Sequence, residues 1–498
     1  MTTQFKDNDQ GGVEPPQSKV LRTSIFVAQN KERRIVTKPV VGLLPLYIEL
    51  YDKSWPELRA RVDGFYQQIA AALRDHGLEV ETVPICRVKP EFESAIRQFE
   101  SQPVDAIVTL HLAYSPSLES SALLASTPLP IVVLDTTPTY SYGPGQDPQE
   151  LLYNHGIHGV QDMCNLLRRN QKAYEVVAGH WQKSDVLERV ATFARAARLA
   201  GALKRARVGQ VGPAFAGMGD FAVPPAKLRV TLGIETIQAD PSLIRSLLTE
   251  VSDAAVDAEM ACDREHFLIK DLNPEVHRQS TRAGLAIRRW LEQERLTAFT
   301  VNFLSVDKAS GLPSMPFLEA SKAMARGLGY AGEGDVLTAA LVGALASVYP
   351  PTSFTEMFCP DWEGDRIFLS HMGEMNINLT AATPSLVEKP FPFTDVGNPV
   401  VAVGRFRPGD AVLVNLAPGA GDQYSLIAAP IVMQDVEGAD RMAETIHGWF
   451  KASLPVGDFL AEYSRAGGTH HCALVYGKVA DSIASWGRLM RWNKVLIQ

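Results

Sequence analysis

The sequence predicts an α/β protein, in which two doubly wound α/β domains precede a β-rich, barrel-like C-terminal domain. Nearly continuous apolar runs such as Val40–Tyr47 are typical of parallel strands buried on both faces. Segments with helical periodicity alternate with these runs over short connections, which indicates doubly wound sheets. From about Phe354, short strands alternate with Gly and Pro turns, as in a small barrel.

The first domain is predicted over residues 38–204. Its second segment, Ser54–His76, repeats apolar residues at helical spacing and is followed by Gly77, a suitable C-cap. The other predicted elements of this stretch are strands at Val40–Tyr47, Leu78–Ile85, Val104–His111, Leu129–Leu134 and Tyr174–His180, and helices at Pro90–Gln98, Ser117–Ala125 and Ser184–Lys204.

The second and third domains are predicted over residues 205–353 and 354–498, and residues 1–37 form a disordered extension. Residues 1–19 are rich in Gln, Asp, Gly and Pro, which favours disorder. The predicted elements are strands at Arg205–Val211 and Ala298–Phe303, a flexible loop at Gly212–Gly219, helical or mixed segments at Leu228–Thr236 and Ser242–Ala261, helices at Ser280–Gln293 and Asp335–Val348, and late strands at Arg366–Leu369, Val400–Gly404, Ala411–Asn415 and Tyr424–Pro430.

Composition excludes several functions. The 498 residues include 48 Lys+Arg and 56 Asp+Glu, a net charge of −8, so we expect no nucleic-acid partner. No run reaches the roughly 18 apolar residues of a membrane span, and Met1–Glu14 has no apolar core, so neither a membrane partner nor secretion is expected. Five scattered cysteines indicate a reducing, cytoplasmic location. Neither a Rossmann nor a P-loop glycine motif is present, so nothing indicates nucleotide binding.

Four places carry residues suited to chemistry. Glu333 stands between two glycines before an apolar helix, and Glu356 follows a Pro-Pro turn. His371 ends a predicted strand, and a Gly-Gly pair leads to His470 and His471. Because neighbouring strand residues point to opposite faces, we expect one of these two histidines to face a given site.

Each place also has a simpler interpretation. Glu333 suits a helix N-terminus, Glu356 a solvated surface, and His371 a core histidine paired with a neighbouring carboxylate, while His470 and His471 suit ordinary packing. Taken together, two carboxylates and one or two imidazoles near one domain junction suit Mn²⁺, Mg²⁺, Fe²⁺ or Co²⁺.

These places resemble motifs of the L-arabinose isomerase family. The ordered matches, from about residue 40 to the C-terminus, are Gly-Glu-Gly-Asp at 332–335, Thr-Ser-Phe-x-Glu at 352–356, Ser-His-Met at 370–372, Gly-Gly-x-His-His at 467–471, Val-Val-x-Gly-His-Trp at 176–181, His158-Gly159, Ala298-Phe299-Thr300 with Phe303, and Arg491-Trp492-Asn493. Each motif alone is weak, but the ordered set is specific.

The resemblance implies a metal-dependent aldose–ketose isomerase of carbohydrate metabolism. It implies that a divalent metal, usually Mn²⁺, is held by Glu333, Glu356, His371 and His471, and that Glu333 and Glu356 form the acid–base pair. It places further residues around the sugar, namely His158, Tyr47, Leu46, Phe303 and His470. It also implies homotrimers or homohexamers with sites between subunits, so that His158 reaches a neighbour's site.

The chain departs from the family pattern at positions where the resemblance implies contact with the sugar. Leu44 replaces a glutamine, His155 replaces another just before His158, and Gly212–Gly219 has no match to the family's Asn-Met-Arg loop. The resemblance therefore indicates an isomerase more firmly than it indicates arabinose as the sugar. Two alternatives stay open, a metal-dependent sugar epimerase on the same scaffold and a non-catalytic sugar-binding protein.

Overall fold

The computed structural model describes residues 38–436 and 440–498, which form three sheets with flanking helices. The disordered extension predicted for residues 1–37 lies outside the described residues. The mixed α/β class, with parallel sheets followed by a barrel-like antiparallel sheet, is confirmed, whereas the exact domain boundaries stay predictions.

The first sheet is parallel, with the order β2-β1-β3-β4-β5. All seven residues of β1, an interior strand between β2 and β3, are buried, because helices cover both faces and alternate side chains enter two separate apolar clusters. The elements are β1 (Val40–Leu46), α1 (Glu49–Ser54), α2 (Leu58–Asp75), β2 (Glu79–Thr82), α3 (Lys89–Ser101), β3 (Ala106–His111), α4 (Ser121–Ser126), β4 (Ile131–Asp135), α5 (Leu151–Asn154), α6 (Ile157–Arg169), β5 (Glu175–Ala178) and α7 (Val186–Lys204).

The second sheet is also parallel, with the order β10-β9-β6-β7. Its elements are β6 (Arg207–Val211), α8 (Pro225–Leu232), β7 (Glu235–Gln238), α9 (Pro241–Glu250), α10 (Asp253–His266), β8 (Leu268–Ile269), α11 (Pro274–Gln293), β9 (Ala298–Val301), α12 (Phe317–Ala325), β10 (Gly329–Gly332) and α13 (Val336–Ala346), of which β8 pairs with the third sheet. The short strands β7 and β10 were not predicted, because neither carries a long apolar run.

The third sheet contains a closed barrel. Pairing of β16 with β17 completes an antiparallel ring of six strands, β16-β15-β18-β11-β12-β17. The elements are β11 (Thr352–Asp361), β12 (Arg366–Ser370), β13 (Ser385–Glu388), β14 (Val400–Arg405), β15 (Gly409–Pro418), β16 (Tyr424–Met433), β17 (Ile446–Ala452), α14 (Val456–Arg465), β18 (His471–Tyr476), α15 (Ala480–Leu489) and β19 (Asn493–Leu496). The predicted barrel is confirmed, and the two helices are additions to it.

Helix α13 joins the second sheet to the barrel. All eleven of its residues are buried, because it packs against β6, β9 and β10 on one side and against β11, β15 and β18 on the other. A helix enclosed in this way needs apolar residues all around its surface. Its N-terminus is therefore fixed between the second sheet and the barrel.

Candidate metal centre

The carboxylates and imidazoles of the late motifs meet at the N-terminus of α13. Donor atoms of Glu333, Glu356, His470 and His471 all lie within 4.8 Å of one another, and we call these four residues the Glu/His cluster. Three separate segments supply them, namely the turn after β10, strand β11 and the start of β18.

Barrel register brings Glu356 to its partners. Glu356 on β11 is paired with His471 on β18 and with Ser370 on β12, and His371 follows Ser370. Glu356 Oε1 lies 2.9 Å from His471 Nε2 and 3.5 Å from His371 Nε2. Cross-strand pairing therefore sets one carboxylate between two imidazoles.

The Gly-Glu-Gly turn places Glu333 against these residues. Glu333 has a positive φ of 61°, and Gly334 follows with a φ of 81°. A Cβ on Gly332 would lie 2.9 Å from His371 Cε1, and a Cβ on Gly334 would lie 2.5 Å from the Pro213 carbonyl oxygen. Both glycines are therefore required by close approach, and the left-handed Glu333 stores strain at the site.

Each imidazole faces a carboxylate through Nδ1. His471 Nδ1 lies 2.9 Å from Asp335 Oδ2, while the other oxygen of Asp335 accepts a hydrogen bond from the Thr338 amide and so caps α13. His371 Nδ1 lies 2.6 Å from Glu374 Oε2. Ionised carboxylates only accept hydrogen bonds, so Nδ1 carries the hydrogen and Nε2 is directed into the site.

His371 is therefore a buried histidine paired with a carboxylate, as its simpler interpretation states, and that carboxylate is Glu374. The Tyr330 hydroxyl donates to the same carboxylate over 2.6 Å. His371 Nε2 still faces Glu356, so the pairing orients the ring toward the site. The sequence already placed Glu374 three residues after His371, whereas no local pattern linked Asp335 to His471.

His470 and His471 both reach Glu333. Their Nε2 atoms lie 3.6 Å and 3.2 Å from Glu333 Oε2. The expectation that one of them would face the site is wrong, because β18 begins at His471 and His470 precedes the paired strand. The alternation of strand side chains does not extend to a residue outside the ladder.

Burial and neighbouring charges shift the pKa values of the site residues in opposite directions. Burial alone would raise the pKa of Glu333, but the adjacent His470 and His471 lower it to about 2. Burial would also raise the pKa of Glu356, yet His371 and His471 hold it well below its usual range. For His371, burial lowers the pKa, and the opposing Glu374 and Glu356 raise it to about 10.

Two buried atoms of the cluster make no well-directed hydrogen bond. These are Glu333 Oε2 and His471 Nε2, which face each other at 3.2 Å. Unpartnered buried polar atoms are costly, and a cation bound between them would satisfy both. Because the donors are two carboxylates and imidazole nitrogens without a thiolate, they fit Mn²⁺, Fe²⁺, Co²⁺ or Mg²⁺.

The residues expected at the sugar lie in two places. Phe303 follows β9 of the second sheet, whereas Leu46, Tyr47 and His158 belong to the first sheet and its helices. Phe303 is half-buried, with its ring 5.4 Å from Phe215, and 6.1 Å from Phe391. Leu46 and Tyr47 are buried at the carboxyl end of β1. His158 is exposed, with its ring 5.3 Å from His155.

Among the residues 38–436 and 440–498, the contacts of His158 and Tyr47 are with their own sheet region and not with the Glu/His cluster. Leu44, where the resemblance leads one to expect glutamine, is buried in an apolar cluster with Leu46. Its side chain is therefore not exposed to a pocket of this chain.

A cavity of about 760 Å³ lies beside the cluster, at the carboxyl end of the second sheet. Loops after β6, β7 and β9 line it, together with Phe221 and Gly334. The chain order of the strands reverses between β6 and β9, and ligand crevices of doubly wound sheets occur at such switch points. Phe221 separates this cavity from the cluster, because its ring also stacks on His471 at 4.9 Å.

An α/β scaffold that joins two carboxylates to several oriented imidazoles beside a cavity defines an enzyme-type site. Comparison with models of known protein families identifies the scaffold. Residues 226–349 match the model of the L-arabinose isomerase central domain, and residues 351–493 match that of the L-arabinose isomerase C-terminal domain. Together the two models cover more than half of the chain, which belongs to the L-arabinose isomerase family.

Curated relatives agree at low identity. L-arabinose isomerase of Herpetosiphon aurantiacus is 26% identical over 351 residues, which is 68% of this chain and 69% of the relative. L-arabinose isomerase of Acidothermus cellulolyticus is 28% identical over 362 residues, 69% of this chain and 70% of the relative. L-arabinose isomerase of Serratia proteamaculans is 23% identical over 471 residues, which is 89% of this chain and 91% of the relative.

Within the described part of the chain, no helix combines the length and the apolar character that a membrane crossing requires.

Proposed function

We propose that this chain is a divalent-metal-dependent aldose–ketose isomerase that acts on a free pentose or hexose. The Glu/His cluster carries the proposal, because its four donor atoms converge within 4.8 Å and two of them are buried without a hydrogen bond. Family membership supports the reaction class, since the curated relatives are named L-arabinose isomerases.

The ligands we propose are Glu333, Glu356, His371 and His471, with Mn²⁺ as the metal. Pairing with Asp335 and Glu374 holds the two imidazoles with Nε2 toward the carboxylates. A bound divalent cation would supply Lewis-acid polarisation of adjacent sugar oxygens and stabilise the charge of an enediolate.

The two glutamates are the acid–base pair. Conversion of an aldose to a ketose moves the proton of C2 to C1 and transfers a hydroxyl proton from O2 to O1, so atoms and charge balance. One carboxylate removes the C2 proton and returns it at C1, while the other carries the hydroxyl proton. Their shared imidazoles hold both carboxylates ionised in the metal-free site, which is the state that a general base requires.

A panel of sugars tests the proposal. We would strip the purified protein of metal, add Mn²⁺, and follow ketose formation from L-arabinose, D-galactose, L-fucose and D-ribose. We expect metal-dependent ketose from at least one sugar and its loss in Glu333→Gln. Epimerised aldose without ketose would identify the epimerase alternative, and bound sugar without any product would identify a sugar-binding protein.

The metal is tested in the same assay. Replacement of Mn²⁺ by Mg²⁺, Co²⁺ or Fe²⁺ should give lower turnover at saturating metal. Higher turnover with one of the other ions would assign that ion instead.

We also propose that the chain acts as a homotrimer or homohexamer with sites between subunits. The first domain carries seven of the sixteen large apolar side chains that are exposed in the described part of the chain, and these seven are Leu50, Trp55, Leu118, Tyr140, Tyr142, Leu151 and Ile157. Burial of this surface by a second copy would remove it from water and bring His158 to a neighbour's cluster.

Subunit complementation tests this assembly. His158→Ala and Glu333→Gln each inactivate every site of a homo-oligomer if both residues serve the same site. Refolded mixtures of the two variants should regain activity, because some sites then combine an intact His158 with an intact Glu333. Light scattering gives the number of subunits, and a monomer would contradict the proposal.

We propose a cytoplasmic location. All five cysteines lie among the described residues and are free, as expected where thiols are kept reduced. Fractionation of cells that express the chain would check this.

A further inference from the structure

The loop between β6 and α8 contacts three residues of the Glu/His cluster. We call residues 212–221 the 212–221 loop. The Phe215 amide donates to the Glu333 carbonyl oxygen at 2.9 Å. At the other end of the loop, Phe221 stacks on His471 at 4.9 Å and 13°.

Asp220 makes the most specific of these contacts. Its Oδ2 atom accepts a hydrogen bond from the His470 amide at 3.0 Å and lies 2.6 Å from His470 Nδ1. One carboxylate oxygen therefore fixes both the backbone and the ring of the same histidine. The two residues are 250 positions apart in the chain, so only the fold brings them together.

The contact determines which nitrogen of His470 faces the cluster. A carboxylate accepts hydrogen bonds, so Nδ1 carries the hydrogen whether the ring is neutral or charged. Nε2 is then directed at Glu333 Oε2 and Glu356 Oε1, at 3.6 Å and 3.9 Å. The arrangement matches those of His471 with Asp335 and His371 with Glu374, but here the carboxylate comes from a half-buried loop.

We propose that Asp220 is a positioning residue that holds Nε2 of His470 toward Glu333 and Glu356, so that the 212–221 loop is part of the reaction centre. The inference rests on the isomerase function proposed above. Asp220 touches neither the sugar nor the reacting atoms in this role, and its effect passes through His470.

A double-mutant cycle tests that route. We expect Asp220→Ala to lower kcat/KM by about 10–100-fold, the range found when a carboxylate that orients a histidine of a metal centre is lost. The double variant Asp220→Ala/His470→Ala should be no worse than His470→Ala alone, because the effects of residues that act through one another are not additive. Effects that multiply would show that Asp220 does not act through His470.

Two further variants separate positioning from general structure. Asp220→Asn keeps an oxygen that accepts both hydrogen bonds, so it should restore most of the activity that Asp220→Ala loses. Asp440→Ala is the matched control, because Asp440 lies 2.8 Å from His447 Nε2 in a similar pair away from the cluster. It should keep wild-type kcat/KM, and an equal loss in this control would overturn the proposal.

Crystal structures of the metal-free protein give a readout independent of turnover. The His470 ring should keep its orientation in Asp220→Asn and rotate away from Glu356 in Asp220→Ala. An unmoved ring in Asp220→Ala would overturn the proposal. If wild-type protein converts no aldose, the proposed isomerase function fails, whereas the ring orientation still decides the role of Asp220.

Discussion

Glu356 lies directly opposite His471 in the antiparallel pair of β11 and β18, with 2.9 Å between Oε1 and Nε2. His371 approaches the same oxygen from the opposite side through β12. The barrel thus presents a carboxylate at the centre of three adjacent strands, and α13 brings Glu333 to it.

Replacement of Glu356 should abolish most of the activity. In Glu356→Gln the amide keeps the shape but is a weaker ligand and no base, so we expect kcat to fall by about 10²–10⁴-fold. Steady-state kinetics with the best sugar of the panel would measure it. Glu363→Gln is a suitable control, because Glu363 is exposed at the turn between β11 and β12. Activity of Glu356→Gln near that of the control would contradict the assignment.

Gly332→Ala should displace His371. The new Cβ would lie 2.9 Å from His371 Cε1, so the ring must shift and its 3.5 Å contact with Glu356 must change. We expect weaker Mn²⁺ binding, measured by calorimetry on metal-stripped protein. Gly64→Ala in α2 is the matched control, since its Cβ meets nothing within 4 Å, and helix propensity should stabilise it by up to about 1 kcal/mol. Unchanged Mn²⁺ affinity in Gly332→Ala would exclude this steric requirement.

Chelation of the metal should lower thermal stability. Without a cation, the facing atoms Glu333 Oε2 and His471 Nε2 lie buried without a well-directed hydrogen bond, although His471 Nε2 is also 2.9 Å from Glu356 Oε1. Mn²⁺ at 100 times its Kd should stabilise the fold by about 2.7 kcal/mol, since it binds only the native site. Scanning calorimetry with EDTA and with added Mn²⁺ would measure the change in Tm. A Tm that does not depend on Mn²⁺ would argue against a metal at this site.

Lys322 should be critical for the stability of the second domain. Its side chain is 2% exposed and pairs with Asp263, and with Glu259 at 2.7 Å. Lys322→Met would remove the buried cation between the two carboxylates and leave Glu259 with Arg288 and Asp263 with His277, at a cost of about 3–5 kcal/mol in the free energy of unfolding. Denaturant unfolding would measure it. Lys308→Met should change stability by less than about 0.5 kcal/mol, because Lys308 is 81% exposed and 3.9 Å from its partner Asp395.

His111 should make the fold sensitive to acid. Burial lowers its pKa from 6.5 to about 3, despite the charge of Asp162. Because the unfolded chain binds the proton more readily, the contribution of His111 to stability is complete above pH 6.5. It is lost as pH falls toward 3, by at most about 1.4 kcal/mol per pH unit.

His111→Phe removes this titration and keeps a ring of similar size beside Gly159. The free energy of unfolding of the variant should therefore fall less steeply than that of the wild type between pH 6.5 and 4.5. Denaturant unfolding at a series of pH values would measure both slopes. Parallel slopes would show that His111 is not the responsible group.

Local patterns predicted much of the fold. The buried run at Val40–Leu46 and the periodic segment at Leu58–Asp75 have the expected structures, because their apolar spacing matches one burial pattern only. Strand β10 was missed, since Gly-Tyr-Ala-Gly has little intrinsic strand preference and forms where β9 pairs with it. The helices α14 and α15 were also missed within a stretch dominated by turns and strands.

The chemistry-bearing residues were visible in the sequence, but the partners that lie far along the chain were not. Glu333, Glu356, His371, His470 and His471 stand in recognisable motifs. Asp220, by contrast, lies in a loop of small residues without a motif, and no local signal links it to His470. Only the folded chain shows that a single carboxylate oxygen accepts from both the amide and the ring.

The sequence by itself determined the class of fold, the family and the set of side chains for a metal centre, because each is encoded in periodicity or in short motifs. Tertiary structure decided how those side chains are arranged. The contacts of His471 with Asp335 and of His470 with Asp220 span 136 and 250 positions. Such contacts depend on how the barrel packs against α13 and the 212–221 loop. No local sequence pattern indicates that packing.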